Sequence, residues 1–283
     1  MTKQNNLSIY AKSFNWAGFF LPKRTYLQCS SLYDFCRYVD NIVDEQGDIE
    51  KKLIDLDNFQ KRFNSRDTND QIIKNIWEII EAHNISLKII NDLFDGVRSD
   101  LKIKVEINSK KDLLIYSYRV AGTVGLMMAK ILKVNNKEAL MGAVDLGIGM
   151  QLTNISRDVI EDSNNNRFYI NNNFENIKDT LDLADKFYEN SFKSIKEIPI
   201  RLRFAILVAR RVYRKIGYKI IQTNNFETYK NSGKIFVNNF GKLIETFMSI
   251  YDLLKLYFIT DKINLTENEH LLINEEIKLY ERI

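Results

Sequence analysis

The chain has 283 residues, of which 45% are hydrophobic, and this is enough to bury a substantial core. Its net charge of +4 gives no case for nucleic-acid binding, and no window of 18 uncharged apolar residues predicts a transmembrane helix. The two cysteines, Cys29 and Cys36, indicate no disulfide framework, and the polar residues 1–6 lack the apolar core of a signal peptide, so we expect a cytoplasmic protein.

Helices are the predicted secondary structure throughout. Only 2 prolines and 11 glycines interrupt the chain, and short polar breaks separate segments whose apolar residues recur every three or four positions. One such apolar stripe consists of Ile72, Ile73, Ile76, Ile79 and Ile80. No segment shows the convincing alternation of a strand. The prediction is one all-α domain over residues 1–283, built from roughly ten helices.

The first candidate site lies in an apolar helical segment that contains Asp40 and Asp44. Residues four positions apart lie on the same face of a helix, so both carboxylates point the same way. Tyr33 and Arg37 continue the same stripe at spacings of four and three. Two like charges at this spacing weaken a helix unless a cation lies between them.

A second carboxylate pair, Asp158 and Asp162, follows an apolar stripe that runs over residues 144–159. Gln151 and Asn154 extend the polar face that carries this pair. Amide side chains are costly to bury without partners, so a polar stripe beside an apolar one suits the wall of a cleft. Two carboxylate pairs on separate segments predict a divalent cation. Mg2+ is the ion usually held by one or two carboxylates plus substrate phosphates.

Other features carry less weight. Gly147 and Gly149 begin a pattern like a dinucleotide loop, but the third glycine and a preceding strand are missing, so close helix packing is the better interpretation. His83 and His270 lack metal-ligand spacing, and we expect surface or core roles for them.

The motifs resemble those of the squalene and phytoene synthase family, over nearly the whole chain. Residues 40–44 resemble the family's first Asp-rich motif, and residues 151–169 resemble the second. Residues 118–129 resemble a third block in the form typical of bacterial phytoene synthases, and residues 12–14 resemble the N-terminal phosphate-contacting block. The resemblance implies an all-α, isoprenoid-synthase-type helical bundle around a deep central cavity.

The resemblance also implies a role for individual residues. Tyr118 would line the reacting centre. The carboxylates that would hold Mg2+, with Mn2+ as the alternative metal, are Asp40, Asp44, Asp158 and Asp162. The residues that would bind the substrate diphosphates are Lys12, Ser13, Arg37, Gln151, Asn154 and Arg157.

The implied activity is a prenyl transfer that joins two geranylgeranyl diphosphates head to head. The product is phytoene, formed through a cyclopropyl (prephytoene) diphosphate in carotenoid biosynthesis, and no NADPH is expected. An alternative is a relative that uses C15 substrates and makes presqualene diphosphate, dehydrosqualene or squalene. A non-enzymatic assembly factor of the same family is a further alternative, although the four intact Asp residues favour an enzyme. A chain-elongating prenyltransferase would carry different Asp-rich signatures.

The substrates and the product are long hydrocarbons, which predicts peripheral contact with the inner face of a membrane. The candidate contact residues are basic: Arg201, Arg203, Arg210 and Arg211. We also expect Gly18 and Ser30 to lie near the cavity and to leave room for a C20 chain. The oligomeric state is left open.

Overall fold

The computed structural model describes residues 12–45, 47–259 and 264–283, with side chains from Asn15 onward. The described chain is predominantly helical, which confirms the predicted all-α class. In chain order the helices are α1 (Lys12–Gly18), α2 (Lys23–Asp44), α3 (Ile49–Asn64), α4 (Gln71–His83), α5 (Leu87–Arg98), α6 (Lys110–Ser117), α7 (Thr123–Ile131), α8 (Lys137–Asn164), α9 (Phe174–Ser194), α10 (Ile200–Ile221), α11 (Phe226–Asn231), α12 (Asn239–Lys255) and α13 (Glu267–Ile277).

Apart from single turns of 3-10 helix, the described residues form three other short elements. A π-helical turn, Tyr118–Gly122, joins α6 to α7. Two short strands, β1 (Val105–Glu106) and β2 (Arg167–Phe168), pair in parallel, with Val105 opposite Arg167. This strand pair was not predicted, because two residues are too few to show an alternating pattern.

The polar breaks in the sequence serve as helix N-caps. The side chain of Asp70 accepts hydrogen bonds from the backbone of Ile72 and Ile73 at the start of α4. Asn136 and Asn173 cap α8 and α9 in the same way. Because a side-chain oxygen satisfies a backbone N–H that has no partner within the helix, these residues determine where the helices begin.

Helix α8 lies at the centre of the bundle and packs against α7, α9, α10 and the π-helical turn. Its predicted apolar stripe is buried throughout, namely Val144, Ile148, Leu152, Ile155 and Val159. Glycines allow the neighbouring backbone to come very close: a Cβ atom on Gly147 would lie 2.3 Å from the carbonyl oxygen of Ala121. The close packing expected at Gly147 is therefore observed, and it brings α8 next to the segment that forms one wall of a cavity.

Candidate active site

A cavity runs between α1, α2, α7, α8 and α10. Small and apolar side chains form most of its wall, including Ala17, Leu21, Cys29, Ala121, Val124, Met128, Ala143, Leu146, Ile198 and Ala205. Polar residues line it at the C-terminal parts of α2 and α8, where Arg37, Asp40, Gln151 and Asn154 lie. The structure thus brings four predicted site residues to one end of an otherwise apolar cavity.

The first carboxylate pair lies where α2 leaves the cavity. Burial, and then the neighbouring Asp44 carboxylate, raise the pKa of Asp40 to about 7, and Arg37 offsets part of that shift. Asp44 is more exposed, and it accepts a hydrogen bond from Nη1 of Arg167 at 2.8 Å. Nη1 of Arg37 lies 4.0 Å from Asp44. Two guanidinium groups therefore face a pair of carboxylates that share one helix face.

The second carboxylate pair lies at the C-terminal end of α8. Burial, and then Asp158, raise the pKa of Asp162 to about 7. Arg157 donates two hydrogen bonds to Asp158, from Nε to Oδ1 at 2.8 Å and from Nη2 to Oδ2. Nζ of Lys234 lies 3.7 Å from Asp158 and 2.7 Å from Glu161. Arg157 thus pairs with its own neighbour Asp158, and its predicted role in binding diphosphate stays a prediction.

The two carboxylate pairs belong to one electrostatic cluster. Arg167 lowers the pKa of both Asp40 and Asp162, and Asp100 raises the pKa of both. A residue affects two groups in this way only when it is close to each of them. Arg167 belongs to the quoted second motif, but Asp100 was missed because its sequence surroundings contain no second carboxylate at helical spacing.

Two tyrosines hold Asp100 in place. The hydroxyls of Tyr116 and Tyr169 donate to its two carboxylate oxygens at 2.8 and 2.9 Å, and their rings stack with centroids 4.7 Å apart. Burial raises the pKa of Asp100, while Arg167 acts against that shift. Asp100 is therefore a further buried carboxylate near both pairs, and the sequence did not indicate it.

The residues at this end of the cavity fit a divalent cation. Within residues 12–45, 47–259 and 264–283, no three His, Cys, Asp or Glu side chains converge closely enough to enclose a metal ion. Mg2+ does not require such a cage, because it commonly takes one or two carboxylates and completes its shell with water and substrate phosphates. Burial, and then a neighbouring carboxylate, raise the pKa of Asp40 and of Asp162, and a bound cation would favour the ionised form of both.

The structure does not bring Tyr118 to the cavity. Its side chain is fully buried, and its hydroxyl donates to Oδ2 of Asp92 at 3.0 Å, which also accepts from Nε of Arg282 at 2.8 Å. Val120 and Ala121 line the cavity instead. Tyr118 is the first residue of the π-helical turn, and Val120 and Ala121 of the same turn face the cavity. The geometry does not support the predicted role of Tyr118 at the reacting centre.

The remaining predicted positions divide into three groups. Gly18 lines the cavity, whereas Ser30 is buried without lining it. Lys12 and Ser13 lie in α1, but their side chains are outside the described residues, so their predicted role stays a prediction. His270 is a core residue, as expected, and its Nε2 lies 2.5 Å from Oδ1 of Asp145.

Comparisons of the sequence with known proteins identify its family. The sequence pattern of the squalene/phytoene synthase family matches residues 7–174, which is more than half of the chain. The 15-cis-phytoene synthase of Enterobacter agglomerans is 28% identical over 251 residues, which cover 77% of this chain and 85% of that protein. The phytoene synthase of Pseudescherichia vulneris is 29% identical over 243 residues, which cover 74% of this chain and 78% of that protein.

Solved structures show the same fold. A structure described as a dehydrosqualene synthase in complex with a ligand has a TM-score of 0.78 at 25% identity, and covers 88% of this chain and 94% of its own. A squalene synthase from Alicyclobacillus acidocaldarius has a TM-score of 0.67 at 19% identity, and covers 80% and 92%. The resemblance predicted from the Asp-rich motifs is confirmed, and the chain belongs to the squalene/phytoene synthase family.

Proposed function

We propose that this chain is a prenyltransferase that joins two geranylgeranyl diphosphates head to head to form phytoene, through a cyclopropyl diphosphate. The observation that carries the proposal is a cavity with a long apolar wall and one polar end at Arg37, Asp40, Gln151 and Asn154. A molecule with a long hydrocarbon chain and an anionic head matches that division. Family membership and relatives named phytoene synthases support the choice of reaction.

The polar end would bind the diphosphate and stabilise it as it leaves. Breaking the allylic C–O bond places negative charge on the diphosphate and positive charge on the carbon chain. Arg37 and Arg167 can donate charge-assisted hydrogen bonds to phosphate oxygens, and the amides of Gln151 and Asn154 can orient them. Asp40, Asp44, Asp158 and Asp162 would hold Mg2+, which supplies Lewis-acid stabilisation of the departing phosphate oxygens when bound.

The apolar wall would protect the allylic cation. Its side chains exclude water, and Tyr33 and Tyr213 add aromatic faces near the polar end. Burial raises the pKa of Tyr213 to about 12 and raises the pKa of Tyr33 as well, so both phenols stay neutral. A neutral aromatic ring attracts a cation through its face and does not trap it as a phenolate would.

A second candidate function uses C15 substrates, because the structural neighbour with a TM-score of 0.78 is described as a dehydrosqualene synthase. We favour the C20 substrate because Gly18, a residue without a side chain, lines the cavity. Five additional carbons buried in the cavity would contribute several kcal/mol, at about 0.8 kcal/mol per methylene.

We further propose that the enzyme works at the cytoplasmic face of a membrane. Among the described residues, no helix is both long and apolar enough to cross a bilayer. Two of the basic residues predicted to contact the membrane do not do so: Arg210 is buried, and Arg211 is paired with Glu245 and Asp252. These two arginines bind their own protein and do not contact lipid.

The test is incubation of the purified chain with labelled C15 and C20 diphosphates, in Mg2+ or EDTA and with or without NADPH. We expect phytoene from the C20 substrate, with a requirement for the metal and none for NADPH. Asp158→Asn should lose most of this activity, whereas Asp55→Asn, a change of an exposed residue on α3, should retain it. Full activity in EDTA, or no product from either substrate, would contradict the proposal.

A further inference from the structure

Helix α12 is inverted relative to an ordinary surface helix, since its polar side is buried. Lys242, Glu245, Ser249 and Asp252 are all buried. Arg211 of α10 donates from Nε to Glu245 and from Nη1 to Asp252, both at 2.9 Å. A helix on the surface of a globular protein normally turns its apolar stripe inward and its charges outward. Here ion pairs attach the helix to the bundle.

The opposite side of α12 is apolar and exposed. This outer face consists of Phe240, Leu243, Ile244, Phe247, Met248, Ile250, Tyr251 and Leu254. Phe247, near its middle, is 64% exposed. None of these side chains carries a charge. Exposed apolar residues are normal when scattered, but a contiguous row along a whole helix marks a surface that another apolar phase covers.

Further exposed aromatic residues follow α12 and α1. Phe258, three residues beyond the helix, is 82% exposed. Trp16 of α1, the helix whose end lines the cavity, donates from its indole N–H to Thr246 of α12 at 2.9 Å. After α1, exposed Phe19 and Phe20 follow, and the ring of Phe20 packs edge-on against Phe204 of α10. Helix α12 therefore contacts both α1 and α10, two helices that form the cavity wall.

Exposed cations lie on the segments next to α1 and α10, the two helices that α12 contacts. The turn from α1 into α2 ends with exposed Lys23 and Arg24. The turn into α10 carries exposed Lys196 and Arg201 against one exposed acid, Glu197. Cations on these segments can attract anionic headgroups, while apolar side chains such as those of α12 enter the acyl layer.

We propose that the outer face of α12 lies in a lipid bilayer surface and docks the protein on it. The choice of lipid as the partner rests on the proposed function. A hydrocarbon product would pass from a cavity bounded by α1 and α10 into the adjacent acyl layer. Contact comes mainly from insertion of the apolar side chains of α12. This mode differs from a purely basic patch, which high salt would release.

The test is flotation of the full chain with vesicles of phosphatidylcholine and phosphatidylglycerol in equal parts, at low and high salt. We expect the wild type to float under both conditions. The double variant Phe247→Asp/Leu254→Asp should reduce the partition coefficient by more than about 100-fold, because each change removes a large inserted apolar side chain. The control Ile54→Asp changes a similarly exposed apolar residue, 59% exposed, on α3, and should float as the wild type does.

Two further measurements separate this proposal from its alternatives. Turnover in detergent micelles should be the same in the double variant and the wild type, since neither residue touches the cavity. A wild type that floats without turnover would contradict the proposed function and leave docking intact. Sedimentation velocity without lipid should show no self-association through α12. The proposal would be overturned if the wild type did not float and instead formed an oligomer that the double variant disrupts. The outer face of α12 would then be a contact between copies of the chain.

Discussion

Replacing Asp40 by Asn should stabilise the metal-free protein at neutral pH while removing most of its activity. Burial, and then Asp44, raise the pKa of Asp40 from 3.8 to about 7. Between pH 3.8 and about pH 7, Asp40 therefore keeps its proton in the folded protein but loses it in the unfolded chain. The free energy of unfolding therefore falls as the pH rises from about 4 to about 7, and an amide avoids that loss.

The magnitude follows from the shift. One pKa unit corresponds to about 1.4 kcal/mol, so the difference between 3.8 and about 7 represents on the order of 4 kcal/mol. Asp40 is partly open to solvent, and the amide loses the attraction of Arg37, so we expect a net gain of about 1–2 kcal/mol. For a chain of this size, that is roughly 2–6 °C in melting temperature. Turnover should fall by about 100-fold, since the variant lacks a carboxylate that would hold the metal.

The assay is thermal unfolding followed by circular dichroism in EDTA, at about pH 5 and about pH 8. The variant should exceed the wild type clearly at the higher pH and by less at the lower pH. Mg2+ should raise the melting temperature of the wild type more than that of the variant. Asp55→Asn is the matched control and should change neither property. A variant less stable than the wild type in EDTA at the higher pH would refute the raised pKa of Asp40 in the folded protein.

Three further predictions concern other parts of the molecule. Gly18→Phe should fill the cavity wall and shift the ratio of C20 to C15 turnover towards C15, measured with equal concentrations of both substrates; an unchanged ratio would contradict the pocket assignment. Tyr118→Phe should lower the free energy of unfolding by about 1 kcal/mol, because its hydrogen bond to Asp92 is lost, yet keep turnover within a few-fold of the wild type. A loss of turnover close to that of Asp40→Asn would show that Tyr118 acts at the reacting centre. His270→Ala should cost about 3 kcal/mol in urea unfolding, because it leaves the Asp145 carboxylate with less compensation in the core; a cost below about 1 kcal/mol would show that the remaining hydrogen bonds suffice.

The sequence by itself determined the helices, their polar and apolar faces and the family. These features are local, since residues three or four positions apart meet on a helix whatever the rest of the fold does. The spacing was therefore enough to pair Asp40 with Asp44 and Asp158 with Asp162. It was also enough to identify the buried stripe of α8, over residues 144–159.

Only the tertiary structure decided which groups meet across the bundle and which helix faces are covered. The placement of Arg167 beside Asp44 joins residues 123 positions apart, and no periodicity encodes such a contact. Tyr118 bonds to Asp92 of another helix and does not line the cavity, a placement that residue types do not reveal. The spacing of α12 shows an amphipathic helix but not which side is buried. That choice depends on the cationic side chain of Arg211 on α10, which pairs with the polar side of α12 and leaves the apolar side exposed.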